Sequence, residues 1–268
     1  MCSVHPDMVT AAGLRPASPS YEAVRLRLED GATTTAHVAS FPVAATSLRV
    51  QRLPGLARLE AWCARNGAGD ALVGGFYVRD ESAAPGASSP GSPLGELRLG
   101  GVVQNFIPFT HPWGRRRACV SVVGREVGIA RRDELPADPP GDLLQAGPLL
   151  VRDGRVVTGD EEGFSAASGQ FDSDITDGRH PRAALGSTGE RLIAFACDGR
   201  AEDEAGLTLA ELAATMVSLG ARTALNLDGG GSTSLVCGGR LRNTPREARD
   251  VLIPGGRAIA TALIFTRR

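Results

Sequence analysis

The chain has 268 residues, enough for one large domain or two small ones with a sizeable core, and its 34 glycines and 17 prolines stay below the share at which disorder is the better reading. The formal charge is -1 and aromatic residues make up 4% of the chain, so the basic, aromatic-bearing surface that nucleic-acid binding needs is not in view. Every basic residue is Arg, which excludes a Schiff-base lysine, a P-loop lysine and a Ser-Lys dyad and suggests a GC-rich genome.

Cys2, Cys63, Cys119, Cys197 and Cys237 are odd in number and never spaced C-x-x-C, so neither a disulfide framework nor a zinc knuckle is supported. Reduced thiols in a cytoplasm are expected. The start M-C-S-V-H-P-D-M lacks a basic and then apolar leader, and no membrane span is expected.

Residues 1–20 read as a flexible N-terminus and 21–268 as a single domain. Val24 to Leu28 alternates apolar residues with Arg and predicts a strand, as does Thr33 to Val43. Leu53, Leu56, Leu59 and Trp62 recur at helical spacing after Pro54, with Asn66-Gly67 as the stop. Ala71 to Val73 predicts a short strand running into Gly74-Gly75. Ser82 to Gly95 is a Pro, Ser and Gly-rich loop, read as a surface insertion or a lid. Strands are expected at Ala118 to Val123 and at Leu149 to Val151, the latter turning at Asp153-Gly154 into Val156-Val157.

Leu192 to Ala196 predicts an apolar strand ending at Asp198-Gly199. Thr208-Leu209-Ala210-Glu211 is a capping box for a helix whose apolar stripe is Leu209, Leu212, Met216 and Leu219, ended by Gly220. Thr223 to Leu227 is a second apolar strand, stopping at Asp228. Strand, helix and strand predict a βαβ unit with both strand ends on one sheet edge, where ligands usually bind. Ser234 to Val236 and Leu241 form a hairpin about Gly238-Gly239, and Ile259 to Phe265 is a last strand. The fold class expected is α+β, a mixed β-sheet domain with a C-terminal βαβ unit and a few packed helices.

The strongest motif is N-L-D-G-G-G-S-T-S-L, Asn226 to Leu235. Gly229, Gly230 and Gly231 after a buried strand can turn their N–H groups toward one point as an anion nest, or form a tight turn with Asp228 accepting local bonds. The motif has neither Walker nor G-x-G-x-x-G spacing.

With D-G-R (198–200), G-L-T-L-A-E-L-A (206–213), R-H-P-R-A-A-L-G (179–186), G-G-F-Y (74–77), G-P-L-L-V (147–151) and G-R-A-I-A-T-A-L-I-F (256–265), this stretch resembles the phosphodiester glycosidase family over roughly residues 71–266. The family's Asn before its first Gly-Gly is Val73 here. The resemblance implies a mixed α and β domain and hydrolysis of the bond between a sugar's anomeric carbon and a phosphodiester. Its matching positions are Gly75, Arg182, Asp198, Asn226, Asp228, the three glycines, Ser232 and Arg257.

The residues carry this chemistry in a simple way. A phosphate monoester leaves with a second pKa of about 6, so stabilising its charge matters more than protonating it. Arg182 and Arg257 are the expected guanidinium donors, with the glycine nest beside them. Asp228 is the expected nucleophile or base, and Asp198 its partner, its orienter or a plain turn residue. Glu211 is a candidate acid or only the capping-box residue, and His180 a candidate beside Arg182. His5 and His37 carry no signal, and His111 reads as a loop histidine. Arg115-Arg116-Arg117 reads as a solvated turn that could meet substrate phosphate if it lies near the site. Metal use stays open, since carboxylates of this kind could hold Ca²⁺ or nothing. The expected partner is a small sugar-phosphate or nucleotide-like conjugate, met in a bacterial biosynthetic or salvage step. The competing readings are a glycosyl transferase using the same site and a non-catalytic sugar-phosphate binding module.

Overall fold

The computed structural model describes residues 18–78, 91–109, 113–157 and 178–268. His5, His111 and most of the expected N-terminal tail and Ser82–Gly95 loop lie outside these residues.

Three antiparallel sheets and one small hairpin build the described residues. The first sheet has seven strands in the spatial order Ser20–Arg27, Thr33–Pro42, Arg191–Cys197, Ala183–Ser187, Thr223–Asn226, Leu149–Arg152 and Arg155–Val156. The second runs Arg240–Leu241, Leu235–Cys237, Asp70–Val73, Ile259–Arg267 and Thr46–Ala57. The third joins Val102–Val103, Leu97–Leu99, Asp142–Gln145, Ala118–Val123 and Glu126–Arg131. The hairpin pairs Arg246–Ala248 with Val251–Leu252.

Alternation along the strands of the first sheet divides the core. Leu192, Ala194, Ala196 and Leu225 face a cluster shared with Leu72, Leu235, Ala262 and Ile264 of the second sheet. Ile193, Phe195, Ala184 and Ala224 face the other way, under Leu209, Leu212, Ala213 and Met216 of the helix Leu209–Ser218. Both faces of the sheet are therefore covered, which is why the strand reads as a continuous apolar run from Leu192 to Cys197 and is buried at every position from Arg191 on. The helix begins as its sequence predicts: Thr208 accepts from the Glu211 N–H at 3.1 Å, and Glu211 accepts from the Thr208 N–H at 2.8 Å.

Two expectations need correction. Every strand pairing in these sheets is antiparallel, so the mixed sheet is not formed. The strands ending before Asp198 and Asp228 do run in one direction, but Ala183–Ser187 lies between them and pairs antiparallel with both. Their C-terminal ends still share an edge, together with the start of the intervening strand at Pro181 and Arg182. The second correction concerns Leu53 to Trp62. The helix is only Leu59–Asn66, ended by Gly67 in the left-handed region at φ 65°, and Leu53 and Leu56 belong to the long strand before it. Thr46–Ala57 is an edge strand, so the N–H missing from Pro54 breaks no ladder. The chain bulges there: the register jumps from Arg52 opposite Thr261 to Ala57 opposite Ile259.

Candidate active site

The ladder between Ala184 and Asn226 continues beyond its last pair, with the Leu227 N–H donating to the Ala183 carbonyl at 2.9 Å. Arg182 and Asp228 thus come from the facing ends of neighbouring strands. Asp228 is half-buried. Its N–H donates to the Gly74 carbonyl at 3.0 Å, which ties the end of the first sheet to the Gly74-Gly75 turn of the second. Gly75 is buried and donates to the Thr261 hydroxyl at 3.0 Å.

The three glycines do not form an open anion nest. The Gly229 N–H donates to Asp228 Oδ1 at 2.9 Å, and the Gly230 N–H donates to the Pro181 carbonyl at 2.8 Å. Close approach is what the glycines supply instead. Gly230 sits at φ 59°, and a methyl group on Gly231 would lie 2.9 Å from both Arg257 Nη2 and Glu247 Oε2. The turn is thus a floor against which charged side chains pack.

Arg257 forms one wall. Its N–H bonds the Gly231 carbonyl at 3.0 Å, its Nε donates to Glu247 Oε2 at 3.1 Å, its Nη2 donates to Glu247 Oε1, and its Nη1 reaches the Ser232 hydroxyl at 3.4 Å. Burial works to lower the guanidinium pKa, but Glu247, with Tyr77 and Asp228, holds it above its ordinary value. Among the described residues these bonds engage three of the five guanidinium N–H groups, leaving one on Nη1 and one on Nη2 for an incoming anion.

Arg200 forms the other wall. It is held at φ 63°, a conformation that non-glycine residues rarely adopt. Its Nη1 donates to the carbonyls of Arg246 and Glu247, and its Nη2 lies 3.4 Å from His180 Nδ1. Arg has no acceptor, so Nδ1 accepts in this contact. His180 also exchanges two main-chain bonds with Leu207, which brings the start of the helix to the same edge.

Other predicted site residues are engaged elsewhere. Asp198 is buried, with Oδ2 3.2 Å from His37 Nε2 and Oδ1 accepting from the Thr244 N–H at 2.5 Å; His37 Nδ1 lies 2.9 Å from the Tyr21 hydroxyl. Both carboxyl oxygens are therefore bonded, one to the loop that leads to Glu247. Glu211 combines its helix cap with Arg179, at 2.5 Å from Nη2. Burial raises the Glu211 pKa, but Arg179 and the Thr208 N–H outweigh it and hold the carboxyl below its usual range. A group so held ionised and bonded is poorly suited to donate a proton. Asn226 is buried and its Nδ2 bonds the Leu227 carbonyl at 2.9 Å.

Arg182 is 2% exposed, and its Nε and Nη2 donate to the carbonyls of Leu207 and Gly178, each at 2.9 Å. It pins the helix start to the strand edge, a role different from the expected phosphate donor. Arg182→Ala is expected to cost about 3 kcal/mol of stability, because charged hydrogen bonds to buried carbonyls would be lost together. A denaturant titration checks this, and a midpoint equal to wild type would refute it. In the arginine run, Arg115 and Arg116 are exposed, whereas Arg117 is buried with its guanidinium 5.8 Å from the Phe109 ring centroid. Among the described residues no three His, Cys, Asp or Glu side chains are gathered into one group.

Arg200 and Glu247 are site residues that sequence reasoning misses. Arg200 lies within D-G-R, but only the folded chain shows its strained φ. Glu247 sits in the charged stretch P-R-E-A-R-D and carries no local signal.

A profile of the phosphodiester glycosidase family matches residues 67–266, about three quarters of the chain. The chain belongs to the phosphodiester glycosidase family. The match contains both Gly74-Gly75 and the glycine turn with Arg200, Glu247 and Arg257. The chain is 32% identical over 117 residues to mouse N-acetylglucosamine-1-phosphodiester alpha-N-acetylglucosaminidase, an alignment covering 42% of this chain and 22% of the mouse protein. The catalytic domain of the zebrafish enzyme of that name, auto-inhibited by its pro-peptide, superposes with a TM-score of 0.67 at 20% identity, covering all of this chain and 88% of that one. A hypothetical protein from Synechocystis gives 0.63 at 19% identity, over 94% of this chain and 62% of that one. The two structural likenesses establish the fold alone: a mostly β-sheet phosphodiester-glycosidase-like domain.

Proposed function

We propose that this chain hydrolyses the bond between a sugar's anomeric carbon and the phosphate of a small phosphodiester or nucleotide-like conjugate, releasing the sugar and a phosphate monoester. The observation that carries the reading is the half-buried Asp228 at a strand end, beside a guanidinium that keeps two N–H groups available. The carboxylate faces the electron-poor anomeric carbon, while Arg257 takes the charge that grows on the departing phosphate. A phosphate monoester leaves without protonation, which fits a site where Glu211 is held ionised far from acid duty. The relatives named for N-acetylglucosamine-1-phosphodiester cleavage support the same reaction class.

We infer a cytoplasmic biosynthetic or salvage step of a bacterium as the setting of this reaction, a reading with which the free, buried thiols of Cys63, Cys119, Cys197 and Cys237 are consistent. The test is a screen of sugar 1-phosphodiesters and nucleotide sugars for released phosphate ester, with and without acceptor alcohols. Release in plain buffer is expected. Turnover only in the presence of an acceptor would make the protein a transferase, and binding without turnover would make it a binding module.

A further inference from the structure

We infer that Glu247 is the second carboxylate of the reaction, the base that activates water, and that Asp228 is the nucleophile; this rests on the hydrolytic reading above. Both carboxyl groups border one three-residue turn. Asp228 Oδ1 accepts from the Gly229 N–H at 2.9 Å, and Glu247 Oε2 lies 2.9 Å from the place where a Gly231 side chain would begin. The Glu247 side chain is 38% exposed, so water and substrate can reach it.

The surrounding structure holds Glu247 there from several sides. Arg200 donates to the carbonyls of residues 246 and 247, and its own carbonyl accepts from the Asp250 N–H at 2.7 Å. Upstream, Asp198 holds the Thr244 N–H, and the Ile253 N–H returns to the Pro245 carbonyl at 3.0 Å. The hairpin is thus fastened at its base and its middle. Arg257 then grips the carboxylate through Nε and Nη2. A carboxylate gripped in this way has its lone pairs held in place beside the turn, which suits the role of base. The same guanidinium keeps one N–H on Nη1 and one on Nη2 to meet the phosphate, so one side chain would link the base to the leaving group.

The steps balance without any added reagent. Asp228 attacks the anomeric carbon, the bond from that carbon to the phosphate oxygen breaks, and its electron pair leaves with the phosphate monoester. A glycosyl ester of Asp228 remains. Water then attacks the same carbon, Glu247 takes its proton, and the Asp228 carboxylate departs, giving the free sugar with its original anomeric configuration.

The test uses the full chain and a panel of methyl diesters of hexose 1-phosphates, followed by rapid mixing and intact mass. Glu247→Gln is expected to release about one equivalent of methyl phosphate in a burst, then to turn over at least about a hundredfold more slowly than wild type, with the mass of one hexosyl unit added to the protein. Azide, which needs no base, is expected to restore turnover in Glu247→Ala as a glycosyl azide of retained configuration. A loss of activity without burst, adduct or azide rescue would overturn the assignment, as would near wild-type turnover in Glu247→Gln. Wild-type product of inverted configuration, read by NMR before mutarotation, would overturn it without any variant. No phosphate monoester released by the wild-type chain from any substrate in the wider screen would instead remove the hydrolytic reading itself.

Discussion

Asp228→Asn is expected to lower kcat by about a hundredfold or more while leaving the melting temperature near wild type. The two halves of this outcome have separate causes. Asn keeps an oxygen that can accept the Gly229 N–H now bonded to Oδ1 at 2.9 Å, and the main-chain bond from residue 228 to the Gly74 carbonyl is untouched. The turn therefore retains its geometry, and no apolar contact is lost from a half-buried position at a strand end. What disappears is the negative charge, and with it the ability to attack or to accept a proton. An amide is far too weak a nucleophile to substitute. Turnover by Asp228→Asn within a few-fold of wild type, on the substrate found in the screen, would take Asp228 out of the chemistry. A large fall in melting temperature would show that the charge holds the turn together.

How far the sequence speaks for this site follows from how local each feature is. The capping box at Thr208 and Glu211, the stop at Asn66-Gly67, and the hairpins at Asp153-Gly154 and Gly238-Gly239 join residues within a few positions, and the structure has them where the sequence places them. The Leu53 and Leu56 spacing misleads because a bulged edge strand with Pro54 can bear apolar residues at a helical interval. Glu126–Arg131 and Asp142–Gln145 carry too little alternation to stand out, so the third sheet is legible only at Ala118 to Val123. Asp198 is found as a strand-end carboxylate, yet its partner His37 is 161 positions away and gave no sign of itself. Glu211 likewise meets Arg179 only in the folded chain. Asp228 and the glycines are visible because a run of three glycines after a strand is rare without a cause. Which cause applies, open N–H groups or close packing, depends on Pro181, Glu247 and Arg257, and no spacing rule ties these to residue 229 or 231.

The close-packing cause makes a sharp prediction at Gly231. A Cβ there would fall 2.7 Å from Ile253 Cδ1 and 2.9 Å from Arg257 Nη2 and Glu247 Oε2, all ends of flexible side chains. The φ of Gly231 is not in the left-handed region, so Ala fits the backbone. Those side chains can swing aside at small cost, and the core beneath the turn stays packed. Gly231→Ala is therefore expected to melt within a few degrees of wild type but to lose turnover by about a hundredfold, because the guanidinium and carboxylate leave the positions from which they would act, and displacements of about 1 Å can cost that much. Gly74→Ala supplies the contrast. Its Cβ would meet the Thr261 carbonyl carbon and oxygen at 2.8 Å, main-chain atoms of a central strand that cannot step aside. That substitution should lower the melting temperature as well as the activity. Paired melting and turnover measurements on both variants decide the matter: equal behaviour of the two would mean that the glycine turn is a structural corner and not the floor of a site.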